Sequence, residues 1–270
     1  MINMQQQPGQ QAPIPQRQPP PPPPAVSMPK PILPPGSVCT PGLEYLSHLN
    51  QLVIKQRVEL AEALLHFETR NKYIACNNQG QNVYYLAEES GMCVRNCMDA
   101  TRCFEMYVWD TQNRIVMRFL RPLRWRSTYQ YCCCCCLLQE IEVQVPPDQT
   151  VGFVFEECTI FRTSYSICDR RMKPLMRVQG PWFTCSTPCA TDVKFSIRSL
   201  HDIEIGVIAK EWSGLIKEAF TDADTFSVTF PVDMDVDVKA CILGCAILID
   251  YMYFENTTDT PRYRRRLNPI

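Results

Sequence analysis

The chain has 270 residues, a formal net charge of −1 and a pI near 6.3. That length suits one domain of about 200–250 residues with a tail, and the near-neutral balance excludes a general pull toward nucleic acid. Sixteen cysteines would imply disulfides in a secreted protein, but residues 1–38 contain no apolar signal core and no Arg-rich transit peptide, so the expectation is a cytosol-facing protein with reduced thiols.

Residues 1–41 hold 14 of the 23 prolines, with no aromatic and no acidic residue. Such a segment cannot bury enough apolar surface to fold and favours extended polyproline conformations. Arg17, Pro20 and Pro23 fit an Arg-x-x-Pro-x-x-Pro ligand for SH3- or WW-type grooves. A solvated spacer explains the same residues, because any long proline run matches that pattern. The expected organisation is a Pro-rich region at 1–41, a folded domain at 42–256 and a basic tail at 257–270.

Leu43, Leu46 and Leu49 suggest a short helix. The stretch from Leu52 to Phe67 fits strand and helix periods about equally, and a strand is preferred after the helix. Strand pairs at 72–77 with 82–88, and at 103–110 with 114–121, flank the turn sequences Asn78-Gln79-Gly80 and Thr111-Gln112-Asn113. Further strands are expected at 138–145, 151–157, 175–178, 193–199 and 204–210. Short strands at this spacing suggest a barrel or a sandwich.

Between them lie five consecutive cysteines, Cys132, Cys133, Cys134, Cys135 and Cys136. Neighbouring thiols are poorly placed to bridge, since a disulfide needs converging Cβ vectors, and five in a row crowd one tetrahedral metal site. They suit S-acylation, with palmitate as a covalent anchor. No Asp or Glu occurs from Thr111 to Gln139, whereas Arg114, Arg118, Arg121, Arg124 and Arg126 do. One acyl chain holds a protein only marginally and a basic patch is a common second signal, each cation adding about 1 kcal/mol near an anionic leaflet. A basic, Cys-rich loop without lipid is the plainer alternative.

Residues 222–233 carry Asp222, Asp224 and Asp233 at positions 1, 3 and 12, an echo of a calcium loop. The match is poor: Phe226 and Ser227 stand at positions 5 and 6, where a ligand and a turn glycine belong. Phe226, Val228 and Phe230 alternate with Ser227 and Thr229, so the residues by themselves read as a carboxylate turn entering a strand.

Residues 240–249 form the one strongly hydrophobic run. At ten residues it is shorter than the roughly 20 a spanning helix needs. Its acidic leading flank and the following Arg262, Arg264, Arg265 and Arg266 would keep the C-terminus cytoplasmic. A helix buried inside the β domain is therefore preferred, with Cys241 and Cys245 as small core residues. A single-pass span is the alternative, which glycosylation at the Asn256-Thr257-Thr258 sequon would support.

Catalytic constellations are absent. His48, His66 and His201 fall in no metal or triad motif, no phosphate-binding loop ends in Lys-Ser or Lys-Thr, and Cys93/Cys97 and Cys185/Cys189 lack further zinc ligands. The expectation is a protein that is not an enzyme.

Several segments resemble the phospholipid scramblase family: Pro41-Gly42-Leu43-Glu44-Tyr45-Leu46, Phe67-Glu68-Thr69, Arg121-Pro122-Leu123-Arg124, the cysteine run entering Leu138-Gln139-Glu140, Glu218-Ala219-Phe220-Thr221-Asp222, and the run from Lys239 to Asp250. The resemblance implies a tubby-like closed barrel of about twelve strands around a hydrophobic C-terminal helix. It implies acylation of Cys132 to Cys136 and calcium binding within 222–233, and the activity it implies is calcium-triggered, ATP-independent movement of phospholipids between leaflets. The unbroken cysteine run departs from the family's usual Pro-interrupted one. With one Lys and one Glu, residues 206–212 do not look like a nuclear-entry signal. The expected partners are an anionic phospholipid leaflet, SH3/WW-type proteins and a further copy of the chain, and the expected place is the cytoplasmic face of the plasma membrane. The alternative is a lipid-anchored signalling adaptor without transport activity.

Overall fold

The structure, a computed structural model, describes residues 27–32, 39–57, 71–89, 103–122, 138–145, 148–159, 162–182, 193–211 and 225–254. Within them twelve strands form a closed, mainly β barrel in which every neighbour is antiparallel. The strands are β1 (Gln51–Arg57), β2 (Lys72–Cys76), β3 (Asn82–Glu89), β4 (Phe104–Asp110), β5 (Ile115–Arg121), β6 (Glu140–Gln144), β7 (Thr150–Glu156), β8 (Arg162–Asp169), β9 (Pro174–Trp182), β10 (Val193–Ser199), β11 (Glu204–Glu211) and β12 (Thr225–Thr229). They follow one another in chain order, and β1 pairs with β12 to close the circle. Closure leaves no unpaired edge.

Alternation builds the wall. On β4, Phe104, Met106, Val108 and Asp110 point inward and the residues between them outward, the two-residue period of a half-buried strand. The expected strands are all present, and β8 is an addition. The 3₁₀ turn Glu44–His48 precedes β1, with Tyr45 and Leu46 buried. The domain also reaches back before residue 42, because Met28 N donates to Asn82 O at 2.8 Å and Met28 packs on the core.

The interior is occupied by helix α1, Val236–Tyr253. Asp235 caps it by accepting the Asp237 amide at 2.8 Å. Every residue from Lys239 to Tyr251 is buried, so the helix is apolar on all sides, as an enclosed helix must be. The wall fits it closely. A Cβ on Gly152 of β7 would lie 2.6 Å from Cys241 Sγ and 2.6 Å from the Cys168 carbonyl oxygen. No helix among the described residues is long and apolar enough to cross a membrane. The single-pass alternative for this segment is therefore corrected: the run is barrel core, with its charged ends bonded, Lys239 to the carbonyls of Leu46, Leu49 and Val232 and Asp250 to Tyr73 of β2.

Candidate functional site

The up-and-down order gives the barrel two unlike ends. At one end, the hairpin end, short connections join β2 to β3, β4 to β5, β6 to β7, β8 to β9 and β10 to β11, and α1 enters. At the other, the loop end, residues 58–71, 90–103, 122–139, 183–192 and 212–224 leave and return, and α1 finishes. The cysteine run, Arg124, Arg126, Asp222 and Asp224 belong to those connections and lie outside the described residues, as do Arg17, Pro20, Pro23 and residues 255–270. Their points of departure are nevertheless fixed. The segment holding the cysteines departs from β5 and rejoins at β6, and Asp224 immediately precedes β12, both at the loop end.

Asp233 is elsewhere. It is exposed in the turn between β12 and α1, at the hairpin end. Strand β12 separates it from Asp224, and a strand rises about 3.3 Å per residue. Calcium–oxygen bonds of about 2.3–2.6 Å do not bridge that span. Asp222 and Asp224 lie outside the described residues; of the strand that follows them, Thr225 stands at the loop end, and Asp233 lies beyond its other end. Among the described residues there is no group of three or more His, Cys, Asp or Glu side chains able to hold a metal.

The described arginines also part company. Arg114, at the hairpin end, grips Asp110 through Nε at 2.9 Å and Nη2 at 2.7 Å. Arg118 projects from the outer wall, 3.0 Å from Glu105 and 5.7 Å from the Tyr107 ring centroid. Arg121 points inward and is 2% exposed. Of the five arginines expected to form a basic patch, these three share no surface: spacing along β5 sends Arg118 and Arg121 to opposite faces, and neighbouring strands supply carboxylates that the local sequence lacks, while Arg124 and Arg126 lie outside the described residues.

Arg121 instead joins a polar network that fastens the end of α1 to the loop end. Its Nε and Nη2 donate to Gln139 Oε1 at 3.1 and 2.7 Å, and Nη2 lies 3.1 Å from Met252 Sδ. Gln139 N donates to Glu156 Oε2 at 3.0 Å; burial raises the Glu156 carboxyl above its ordinary pKa, against the pull of that bond. Tyr73 OH donates to Asp250 at 2.6 Å, and Tyr251 OH to Glu88 at 2.8 Å. The Tyr251 ring stacks on Phe104 at 4.2 Å. Lys210 Nζ lies 4.2 Å from the centroid of Phe254, within cation–π range. Reading the sequence missed this network. Its one local signal is a charge, Asp250, closing an apolar run.

The Scramblase family model matches residues 28–256, which contain the whole barrel and its helix. The chain belongs to the Scramblase family. It is 45% identical over 231 residues to phospholipid scramblase 2 of Bos taurus, covering 85% of this chain and 76% of that protein. To phospholipid scramblase 1 of Mus musculus it is 43% identical, covering 85% and 68%. To phospholipid scramblase 2 of Homo sapiens it is 43% identical, covering 90% and 79%. No solved structure matches the chain. A scramblase chain thus carries its own C-terminal helix inside its barrel.

Proposed function

We propose that this chain moves phospholipids between membrane leaflets, in both directions, under calcium control and without ATP. Its task on this reading is lipid translocation rather than covalent catalysis. The observation that carries it is the family match across residues 28–256, together with relatives named phospholipid scramblases. Palmitate on Cys132 to Cys136 anchors the domain to an anionic leaflet at the cytoplasmic face of the plasma membrane, with Arg124 and Arg126 adjoining. Calcium is held by Asp222 and Asp224 with further oxygens from the loop end, where the chain enters β12 and where the cysteine-bearing connection begins and ends. Asp233 is left out of that ion's shell.

Because α1 occupies the barrel interior, lipids pass around the domain and not through it. That same occupancy favours a second reading, a lipid-anchored adaptor whose Arg17, Pro20 and Pro23 bind SH3- or WW-type partners. Reconstitution separates the two. The full chain in liposomes containing labelled lipid is tested by external bleaching, with and without calcium. Calcium-dependent loss of the inner-leaflet label supports transport. No exchange, at amounts where a positive control scrambles, leaves the adaptor. For anchoring, a chain with alanine at 132–136 is expected to leave the membrane fraction of cells, and retention there would refute the cysteine anchor.

A further inference from the structure

Four hairpin turns share one design. Their first residues are Asn77, Asp110, Asp169 and Ser199, and each accepts two backbone amides on a side-chain oxygen. Their fourth residues, Gly80, Asn113, Met172 and Asp202, all have positive φ, between 59° and 76°. Gly, Asn and Asp suit a left-handed backbone. Met does not, and an exposed residue held in an unfavourable conformation points to a use.

Met172 is 55% exposed at the tip of the β8–β9 turn. Arg170, Arg171 and Lys173 surround it, all exposed, and none of the three forms an ion pair among the described residues. Asp169 is the one carboxylate in the turn, and its Oδ1 is taken by the amides of Arg171 and Lys173 at 2.8 and 2.9 Å. At the same end, on the β10–β11 turn, Leu200 and Ile203 are 52% and 63% exposed, while Asp202 and Glu204 are paired with Arg198. The β12–α1 turn at the same end exposes Val232 beside Asp233 and Asp235, so it is acidic where the β8–β9 tip is cationic, and Arg170 lies within electrostatic reach of the half-buried Asp237.

We propose that the β8–β9 hairpin tip is a second membrane contact, in which Met172, seconded by Leu200 and Ile203, inserts shallowly among the headgroups of an anionic bilayer while Arg170, Arg171 and Lys173 bind its phosphates. Charge complementarity selects the occupant. An apolar tip ringed by cations matches the boundary between acyl chains and anionic headgroups. The tip lies at the end opposite the departure of the cysteine run, and so adds a contact that acylation does not supply.

The test is co-sedimentation of the full chain, free of acyl groups and in chelator, with phosphatidylcholine vesicles containing or lacking phosphatidylserine. Wild type binds the anionic vesicles, and added salt weakens the binding. Arg170→Glu with Arg171→Glu lowers binding about tenfold or more. The matched pair Arg177→Glu with Lys194→Glu, on exposed positions elsewhere, lowers it far less. Met172→Gly relieves the left-handed strain, raising Tm by about 2–4 °C, and weakens binding about threefold. The proposal is overturned if wild type does not bind, if the matched pair loses as much as the tip pair, or if Met172→Gly binds as wild type or lowers Tm. Lipid exchange is not read in this assay, so its outcome is separate from that of the transport reading.

Discussion

Lys239 Nζ donates to the Leu46 carbonyl oxygen at 2.9 Å, tying together residues 193 positions apart. Two further carbonyls, of Leu49 at 2.9 Å and Val232 at 2.8 Å, complete the shell of a cation that is 0% exposed. One ammonium with three donors thus joins the 3₁₀ turn, the β12–α1 turn and the helix. The stem lies in the core, and the head answers carbonyls that α1 would otherwise leave buried.

Lys239→Met keeps the stem and strands those three acceptors. The expected loss is about 2–3 kcal/mol of stability, from one buried group unsatisfied after another. Urea unfolding checks it, and a loss below about 0.5 kcal/mol would mean that water replaces the ammonium.

Alkaline pH should pull stability in two directions. Burial lowers the Lys239 amine from 10.5 to about 8, although Asp233 opposes the shift. The unfolded chain then binds more protons between about pH 8 and 10.5, so this group's contribution rises with pH there. Burial pushes the Cys241 and Cys245 thiols up from 9.0, so their contribution is present below pH 9 and lost as pH rises beyond it. In urea melts from pH 7.5 upward, Cys241→Ala with Cys245→Ala should therefore flatten the alkaline loss, and Lys239→Met should steepen it.

Gly152→Ala should destabilise the barrel by about 1–3 kcal/mol, the usual cost of overpacking. Its Cβ would meet both Cys241 Sγ and a backbone oxygen of β8 at 2.6 Å. Adding Cys241→Ala relieves the first clash only, so the double variant should recover part of the loss. Full recovery in thermal melts would show that β8 shifts freely, against its pairing with β7 and β9.

Calcium dependence should divide the three aspartates by barrel end. Asp222→Asn with Asp224→Asn should remove the calcium response of lipid exchange. Asp233→Asn should leave it within about twofold, because Asp233 lies past the far end of β12 from Thr225, across a strand that rises about 3.3 Å per residue. An equal loss in Asp233→Asn would refute the separation.

Tyr73→Phe tests the network at the loop end. Removing the hydroxyl that donates to Asp250 at 2.6 Å should cost about 1–3 kcal/mol, since a buried carboxylate loses a bond. An unchanged urea midpoint would show that this bond is not needed to hold the end of α1.

Local pattern was enough for most of the wall. On β10 large apolar residues alternate with polar ones, and a two-residue period needs no partner to be seen. On β8 the same period exists in Thr163, Tyr165 and Ile167, but Thr163 is itself polar and Cys168, on the other phase, is apolar, so its contrast is low. The apolar stretch of α1 was equally plain, and its shortness favoured burial over spanning. The left-handed backbone at Met172 had no signal in the sequence, since Arg-Arg-Met-Lys contains no turn glycine or asparagine to mark it.

By itself, then, the sequence determined the strands, the central helix and the membership of a family, because these depend on residue type and short-range period. Tertiary structure alone decided which of its charges act together. Arg114, Arg118 and Arg121 are neighbours in the chain, yet they finish at one end, on the outer wall and in the interior. Thr225 and Asp233 finish at opposite ends. An antiparallel barrel reverses the chain at every turn, so residues eight apart can be separated by its height, while Lys239 and Leu46, 193 apart, meet in its core.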